Sequence, residues 1–201
     1  MADRPKVVVI AGPNGAGKST TAPEIVQRAL HVSEFVNADT IARGLSQFSP
    51  EQVAMPAGRI MLRRIRQLAV ERISFAFETT LASRSLATLL TGVQENGYEL
   101  HLVFLWLPSA SMAVERVKVR VQRGGHHVPD DVVFRRYERG LSNFFNIFRS
   151  IADSWIMLDN SVGAQPQAIA WRSIGGPLHI VKSGPWTKLR EKYEQDRFQR
   201  D

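Results

Sequence analysis

The sequence predicts an α/β protein, in which a parallel β-sheet is covered by helices on both faces and an anion-binding loop sits at its centre. Three observations lead there. Short apolar runs rich in β-branched residues alternate with longer segments of helical periodicity. The segments between runs are long enough for the crossover helices that parallel pairing requires. A glycine-rich stretch follows directly on the first apolar run. Composition agrees, since 201 residues can bury a core and 44% hydrophobic with 22% charged residues is a globular balance.

Taken in order, Lys6-Val7-Val8-Val9-Ile10-Ala11 reads as a buried parallel strand. A helix is predicted from about Gly17, with Pro23 beyond its first turn, where it should bend the axis. Glu34-Phe35-Val36-Asn37 is a short second strand. Pro50 to Arg72 contains a helix whose buried face is predicted as Met61, Leu62, Ile65, Leu68 and Ala69. Ile73 to Phe77 is the third strand, and Ser83 to Glu95 a helix stopped by Asn96-Gly97. Leu100 to Leu107 is the fourth strand, Ser109 to Gln122 and Pro129 to Ala152 are helices, and Trp155 to Leu158 is the fifth strand. Ala168 to Trp171 and Leu178 to Val181 flank Gly175-Gly176-Pro177, as in a small hairpin or an antiparallel edge. Trp186 to Gln199 reads as a charged helix forming a solvated cover. No repeat or low-complexity linker divides the chain, so one domain over 1–201 is expected.

Several classes of function are set aside. The longest apolar run, Leu100 to Leu107, is strand-sized, so no membrane span is expected. Met-Ala-Asp-Arg-Pro leads straight into a strand without a secretory signal, which favours the cytoplasm. With no cysteine there are no disulfides or thiolate metal sites. A formal charge of +7 points to anionic partners: nucleotides, sugar phosphates or nucleic acid.

Gly12-Pro13-Asn14-Gly15-Ala16-Gly17-Lys18-Ser19 fits G-x-x-x-x-G-K-[ST] in full, between a strand and a helix, and Thr20 follows. This makes the chain a P-loop NTPase by pattern, binding ATP with magnesium. Glycines let backbone N–H groups face the phosphates, and the helix start adds positive potential. Lys18 is predicted to bridge the β- and γ-phosphates, and the Ser19 hydroxyl to bind magnesium.

Asn37-Ala38-Asp39-Thr40 and Glu78-Thr79-Thr80 stand at the ends of strands two and three. In an open parallel sheet those ends share the crevice occupied by the phosphate loop, so Lys18, Asp39 and Glu78 should converge. A carboxylate there accepts a proton from an attacking hydroxyl or helps to hold magnesium. The plainer alternatives are that Asp39 caps the helix at Thr40 to Gly44 and that Glu78 pairs with an arginine. Farther on, Arg116, Arg120 and Arg123, then Gly124-Gly125-His126-His127-Val128-Pro129, then Arg135, Arg136 and Arg139 read as a lid over about 116–139. Arg120 and Arg123, ahead of Arg116, are the arginines expected to stabilise the transferring phosphoryl group. His126 and His127 suit the loop or an anion better than a metal, because no acidic or cysteine partner lies at ligand spacing. Asp159-Asn160-Ser161 follows the fifth strand. Asp159 is either a magnesium-holding Walker B aspartate or the start of a loop beside the adenine, and the adenine side is preferred.

The phosphate loop, Asn37-Ala38-Asp39, Phe77-Glu78-Thr79-Thr80-Leu81, the Arg-Val…Gly-Gly-His…Val-Pro lid and Asp159-Asn160-Ser161 together resemble the zeta-toxin family over about Val7 to Ser161. The likeness is greater to its short bacterial branch, often labelled predicted ABC-type ATPase. The resemblance implies a five-stranded parallel sheet of order 2-3-1-4-5 and a kinase of a toxin–antitoxin pair. Such kinases phosphorylate the 3′-hydroxyl of the amino sugar in UDP-N-acetylglucosamine. It further implies Asp39 as base, Glu78 and Thr79 (with Thr80 beside them) as holders of the acceptor, lid arginines as a phosphate clamp, and an antitoxin partner. Two differences bear on the acceptor. The chain is shorter than the well-known toxins, and His126 stands where those toxins place an arginine before a Thr-Pro pair, here Val128-Pro129.

Rival readings differ by sequence features. An ABC-type ATPase needs a Leu-Ser-Gly-Gly-Gln-type signature and a strand ending in Asp-Glu, and neither occurs. A nucleic-acid-binding ATPase would carry a recognition motif or an aromatic–basic stripe, and none is found. A small-metabolite kinase acting on a sugar, a nucleoside or an antibiotic shares every ATP-site feature and remains the alternative.

Overall fold

The computed structural model describes residues 4–23, 32–125, 127–162 and 165–194. Its centre is β1 (Lys6–Ala11), in which Val7 to Ala11 have no exposed surface at all. A strand apolar on both faces has to be covered on both, which is what a parallel sheet with crossover helices provides. β1 lies between β3 (Phe75–Thr79) and β4 (Glu99–Trp106), with β2 (Glu34–Val36) outside β3 and β5 (Ser154–Asp159) outside β4, all parallel. The predicted order 2-3-1-4-5 is therefore present. The strand number is not. β6 (Gln167–Arg172) and β7 (Leu178–Ile180) extend the sheet antiparallel past β5, giving seven strands in the order β2-β3-β1-β4-β5-β6-β7. Both expected arrangements of the C-terminal strands are present, since β6 and β7 form a hairpin and that hairpin is an antiparallel edge of the main sheet, with Ile169 and Ala170 buried.

The helices are α1 (Lys18–Pro23), α2 (Ala38–Leu45), α3 (Ala54–Val70, entered by a 3-10 turn over Pro50–Val53), α4 (Ser85–Glu95) and α5 (Ala110–Gln122). They continue with α6 (Asp130–Asn143), α7 (Arg149–Ile151) and α8 (Ser183–Tyr193). Pro23 ends the described part of α1, so the bend expected of it lies outside the described residues. In α3 the buried face is Ala57, Met61, Ile65, Leu68 and Ala69; Leu62 is turned outward, and Ala57 takes the place the sequence reading gave it.

The single helix expected over Pro129 to Ala152 is interrupted. Phe144–Phe148 forms a π-helical turn between α6 and α7. Phe144, Phe145 and Phe148 of this turn are all buried. Phe144 meets Phe104 and Trp155 at 5.0 and 5.5 Å between ring centres, and Phe145 meets Trp186 at 5.3 Å. That contact also revises α8. Trp186, Leu189 and Tyr193 are buried, so α8 is a packed helix rather than a solvated cover, and its expected extension past 194 lies outside the described residues.

Sheet register positions the chemistry. Ile10 pairs with Glu78 and Ala11 with Thr79, so the chain leaves β1 into the Gly12 loop directly beside the carboxyl end of β3. β3 runs two residues farther than the sequence suggests, which puts Glu78 on the strand instead of beyond it. No helix among the described residues is long and apolar enough to cross a membrane.

Candidate active site

The phosphate loop needs its glycines for space as well as for dihedral freedom. Gly12 has φ +140°, and a Cβ there would lie 2.3 Å from the Leu105 carbonyl oxygen. At Gly17, φ +81°, a Cβ would lie 2.6 Å from the Asn160 side-chain nitrogen. The loop is thus pressed between β4 and the segment after β5, and any side chain at either position would push it out. Lys18 opens α1 and turns its ammonium back over the loop, donating to the carbonyls of Gly12 at 2.8 Å and Pro13 at 2.9 Å. Burial lowers its pKa to about 8, against the pull of the Glu78 and Asp39 carboxylates and with the push of Arg120 and Arg136. These four side chains therefore act on one lysine. Ser19, Glu78 and Asp39, predicted from separate parts of the sequence, are brought together with Lys18.

Both plain alternatives for the carboxylates fail. Asn37, not Asp39, caps α2: its side-chain oxygen accepts from the backbone N–H groups of Asp39 at 2.8 Å and Thr40 at 3.2 Å. Asp39 stands in the first turn with its carboxylate exposed and bound to nothing in the cap. Among the described residues Glu78 does not pair with an arginine. Its Oε2 accepts from the Ser19 hydroxyl at 3.0 Å, and its Oε1 is buried without a hydrogen-bond partner. Burial raises the Glu78 pKa, with Lys18 and the Ser19 and Asn37 side chains opposing the rise and the Asp39 carboxylate adding to it. A buried carboxylate oxygen with no donor is costly unless a cation or a proton meets it. A hydroxyl and a carboxylate side by side, one oxygen unsatisfied, suit magnesium, a hard ion that takes few protein oxygens and keeps phosphate oxygens and water. Among the described residues no group of three or more His, Asp or Glu is assembled that could hold a metal without such help.

The arginines sort by geometry. Arg120 lies close enough to Lys18 to lower its pKa. Arg123 is the exposed C-cap of α5 and is not brought to Lys18. Arg136, which the sequence did not single out from its neighbours, is half-buried, donates to the Asn14 side-chain oxygen at 3.4 Å and is attracted by Asp39. Burial lowers its pKa ahead of that attraction. The signal for it was its phase: Val133 and Gly140, three before and four after, are both buried. Arg116 points elsewhere, donating to the carbonyls of Asn160 at 2.7 Å and Ser161 at 2.8 Å. His127 is exposed, and His126 lies outside the described residues.

The segment after β3 is held from two sides. The Thr79 hydroxyl accepts from the Leu81 N–H at 3.0 Å, and the buried Asn143 amide donates to the Leu81 carbonyl at 2.8 Å. Gly140 packs so close to the Thr80 carbonyl that a Cβ would lie 2.5 Å from it. Thr79 is thus occupied in shaping the turn, while Thr80 is half-buried beneath α6. Next to this turn a cavity of about 700 Å³ is lined by Ser83, Arg84, Arg139, Ser142, Asn143 and Tyr193, among others. Asp159 is not directed to the phosphate loop. Its carboxylate accepts from Ser161 N–H and hydroxyl and from Lys182 at 3.1 Å, and these contacts hold its pKa down despite burial.

Comparison with known proteins follows the same lines. The family model described as Zeta toxin matches residues 1–155. An uncharacterized protein of Haemophilus influenzae is 30% identical over 132 residues, which is 66% of this chain and 92% of that protein. Among solved structures, AvrRxo1-ORF1:-ORF2 with ATP superposes with a TM-score of 0.74 at 15% identity, over 94% of this chain and 64% of that one. This chain therefore spans a little under two thirds of that protein. The PezAT chromosomal toxin–antitoxin system of Streptococcus pneumoniae gives a TM-score of 0.64 at 13% identity, over 96% and 79%. At such identities the superpositions speak for the fold, and the family match speaks for descent. The chain belongs to the zeta toxin family.

Proposed function

We propose that this kinase transfers the γ-phosphoryl group of Mg·ATP to a hydroxyl of a small acceptor, with UDP-sugars such as UDP-N-acetylglucosamine the first class to test. One observation carries the reading: Glu78, half-satisfied by Ser19, lies with Asp39 around the Lys18 ammonium at the mouth of the phosphate loop. Gly12 to Thr20 supply the backbone cradle, Lys18 bridges the β- and γ-phosphates, and Arg120 with Arg136 meets charge on the transferring group. Ser19, with Glu78 beside it, would hold magnesium, which would supply charge neutralisation of the phosphates. Asp39, exposed and free of the helix cap, accepts the acceptor's proton as its oxygen bonds to the γ-phosphorus and the bond to the bridging oxygen breaks, releasing ADP.

The cavity beside the Thr79–Leu81 turn is of small-molecule size and supplies room for the acceptor. Its serine, asparagine and arginine lining would equally suit a phosphorylated sugar or a nucleoside derivative, so a metabolite kinase of the same fold is the second reading. We take the chain as one domain whose α5–α6 hairpin forms the lid, and an antitoxin-like protein as a candidate partner. That last point rests on the family and on PezAT being a toxin–antitoxin system.

The test is mass spectrometry of products after incubation with Mg·ATP and a panel of UDP-sugars, sugar phosphates, nucleosides and aminoglycosides. A phosphorylated UDP-N-acetylglucosamine, absent with Asp39→Asn, is the expected result. A different phosphorylated acceptor would favour the second reading, and no phosphorylated product with ADP release would reject both acceptor classes.

A further inference from the structure

Asn160 is the most connected residue of the segment after β5. Its backbone N–H donates to the Trp106 carbonyl at 3.0 Å, which fixes it to the end of β4. Its carbonyl accepts from Arg116 at 2.7 Å, and the other arm of the same guanidinium holds Ser161. Asp159 closes the turn through Ser161 and is itself tied to Lys182. With its backbone so held, Asn160 directs its side-chain amide across 144 positions of sequence to the Ala16 carbonyl, at 2.7 Å. That short bond goes to the phosphate loop itself.

Its consequence follows from peptide geometry. The Ala16 carbonyl and the Gly17 N–H belong to one planar trans unit, so they point in opposite directions. Fixing the carbonyl toward Asn160 turns the Gly17 N–H away from the β5 segment, to the side on which the loop takes phosphate. On the other flank, the Gly17 carbonyl is held by the N–H groups of Thr20 and Thr21 in the first turn of α1. Glycine leaves Gly17 free to rotate in isolation, and its φ of +81° is a conformation few other residues share. A loop residue with that freedom needs an external restraint to present its donor in one direction.

We propose that Asn160 is a positioning residue for nucleotide phosphate: braced by Arg116, its amide sets the direction of the Gly17 N–H in the phosphate loop. The proposal rests on reading this loop as the ATP site. It separates Asn160 from a role in holding the base, because the group it restrains faces phosphate.

Isothermal titration calorimetry of the full chain with Mg·ATP and with Mg·tripolyphosphate, which has neither base nor ribose, tests it. Wild-type binding of both ligands is the reference, and failure of wild type to bind ATP would overturn the ATP-site reading itself. Asn160→Ala is expected to weaken both ligands by a similar factor, about tenfold for one lost orienting hydrogen bond. Asn160→Asp keeps the size but sets a carboxylate against the Ala16 carbonyl, so it should weaken both further. Arg116→Lys, which keeps the charge and one of two carbonyl contacts, should lose less than either. Thermal unfolding without ligand identifies any variant that has lost its fold, and the isosteric Asn160→Asp keeps the question answerable if Asn160→Ala is one. Unchanged affinity in a folded variant overturns the proposal, as does a loss confined to ATP with tripolyphosphate unaffected.

Discussion

Lys18 makes ATP binding depend on pH in a window that can be worked out in advance. Burial brings its pKa to about 8 in the free protein, whereas an unfolded lysine titrates near 10.4. ATP needs the charged form. At pH 7 about nine tenths of the lysine is protonated and at pH 9 about one tenth, so Kd should rise about tenfold between them and tenfold more by pH 10. The ligand does not confuse the reading, because phosphate pKa values near 6 leave ATP fully ionised throughout. The stability term has the opposite sign. Between pH 8 and 10.5 the folded chain holds fewer protons on this group than the unfolded chain, so the free protein gains stability from Lys18 as pH rises through that window. Calorimetric titration with Mg·ATP from pH 7 to 10 measures the first effect. Lys18→Arg, charged throughout the range, should bind more weakly but with a flat profile. A wild-type Kd constant to pH 9.5 would show that Lys18 keeps an ordinary pKa and that the burial argument is wrong.

Asp39→Asn should bind Mg·ATP within about threefold of wild type while phosphoryl transfer falls by about 100-fold or more, as expected for a lost general base; surviving transfer would move that role to Glu78. Glu78→Gln retains an acceptor for the Ser19 hydroxyl but removes the charge, so the gain in ATP affinity on adding magnesium should shrink, read by calorimetry with and without the metal. Arg136→Ala should weaken ATP by about tenfold to a hundredfold, the range for a charged hydrogen bond, while Arg123→Ala changes it little. Trp186→Ala removes a buried ring packed between Phe145 and Trp155 and should destabilise the fold by ~3–5 kcal/mol in urea unfolding, with little effect on ATP affinity in the folded state.

Local pattern carried much of this molecule. The apolar run at Val7 to Ala11 could only be a strand covered on both faces, and the motif after it could only start a helix, so the centre of the sheet and the phosphate loop were legible. Asp39 and Glu78 followed from topology, because the carboxyl ends of neighbouring parallel strands share one crevice. Side-chain direction was less accessible. Arg135, Arg136 and Arg139 are alike as letters, and the phase of α6, set by Gly140 against Thr80, is what turns Arg136 inward. Arg123 stood in the expected stretch but falls one residue past the last turn of α5, where the side chain meets solvent. The π-helical turn at Phe144–Phe148 was hidden for a related reason. It arises from three aromatics seeking one core across the sheet, a tertiary demand absent from the local hydrogen-bond pattern. The hairpin after β5 was visible as an element, but its pairing with the main sheet depends on Ile169 and Ala170 matching the edge of β5.

The charges of the site are arranged so that each ligand relieves a cost the free protein bears. Lys18 is half-buried with Arg120 and Arg136 pressing on it and two carboxylates drawing it back, and desolvation prevails, since its pKa falls. Glu78 is half-buried with Lys18 and Ser19 supporting its charge, and desolvation prevails there too, since its pKa rises. Each group is held toward its neutral form despite an opposite charge close by, so the pair does not satisfy itself. On the proposed reading, a triphosphate would supply an anion for Lys18, and a divalent cation would supply a partner for Glu78 Oε1. Because both groups act on each other, charging one makes charging the other easier, so ATP and magnesium must each raise the affinity of the site for the other by the same factor. On the proposed reading, such a site would favour the Mg·ATP complex over free nucleotide through the electrostatics of Lys18 and Glu78.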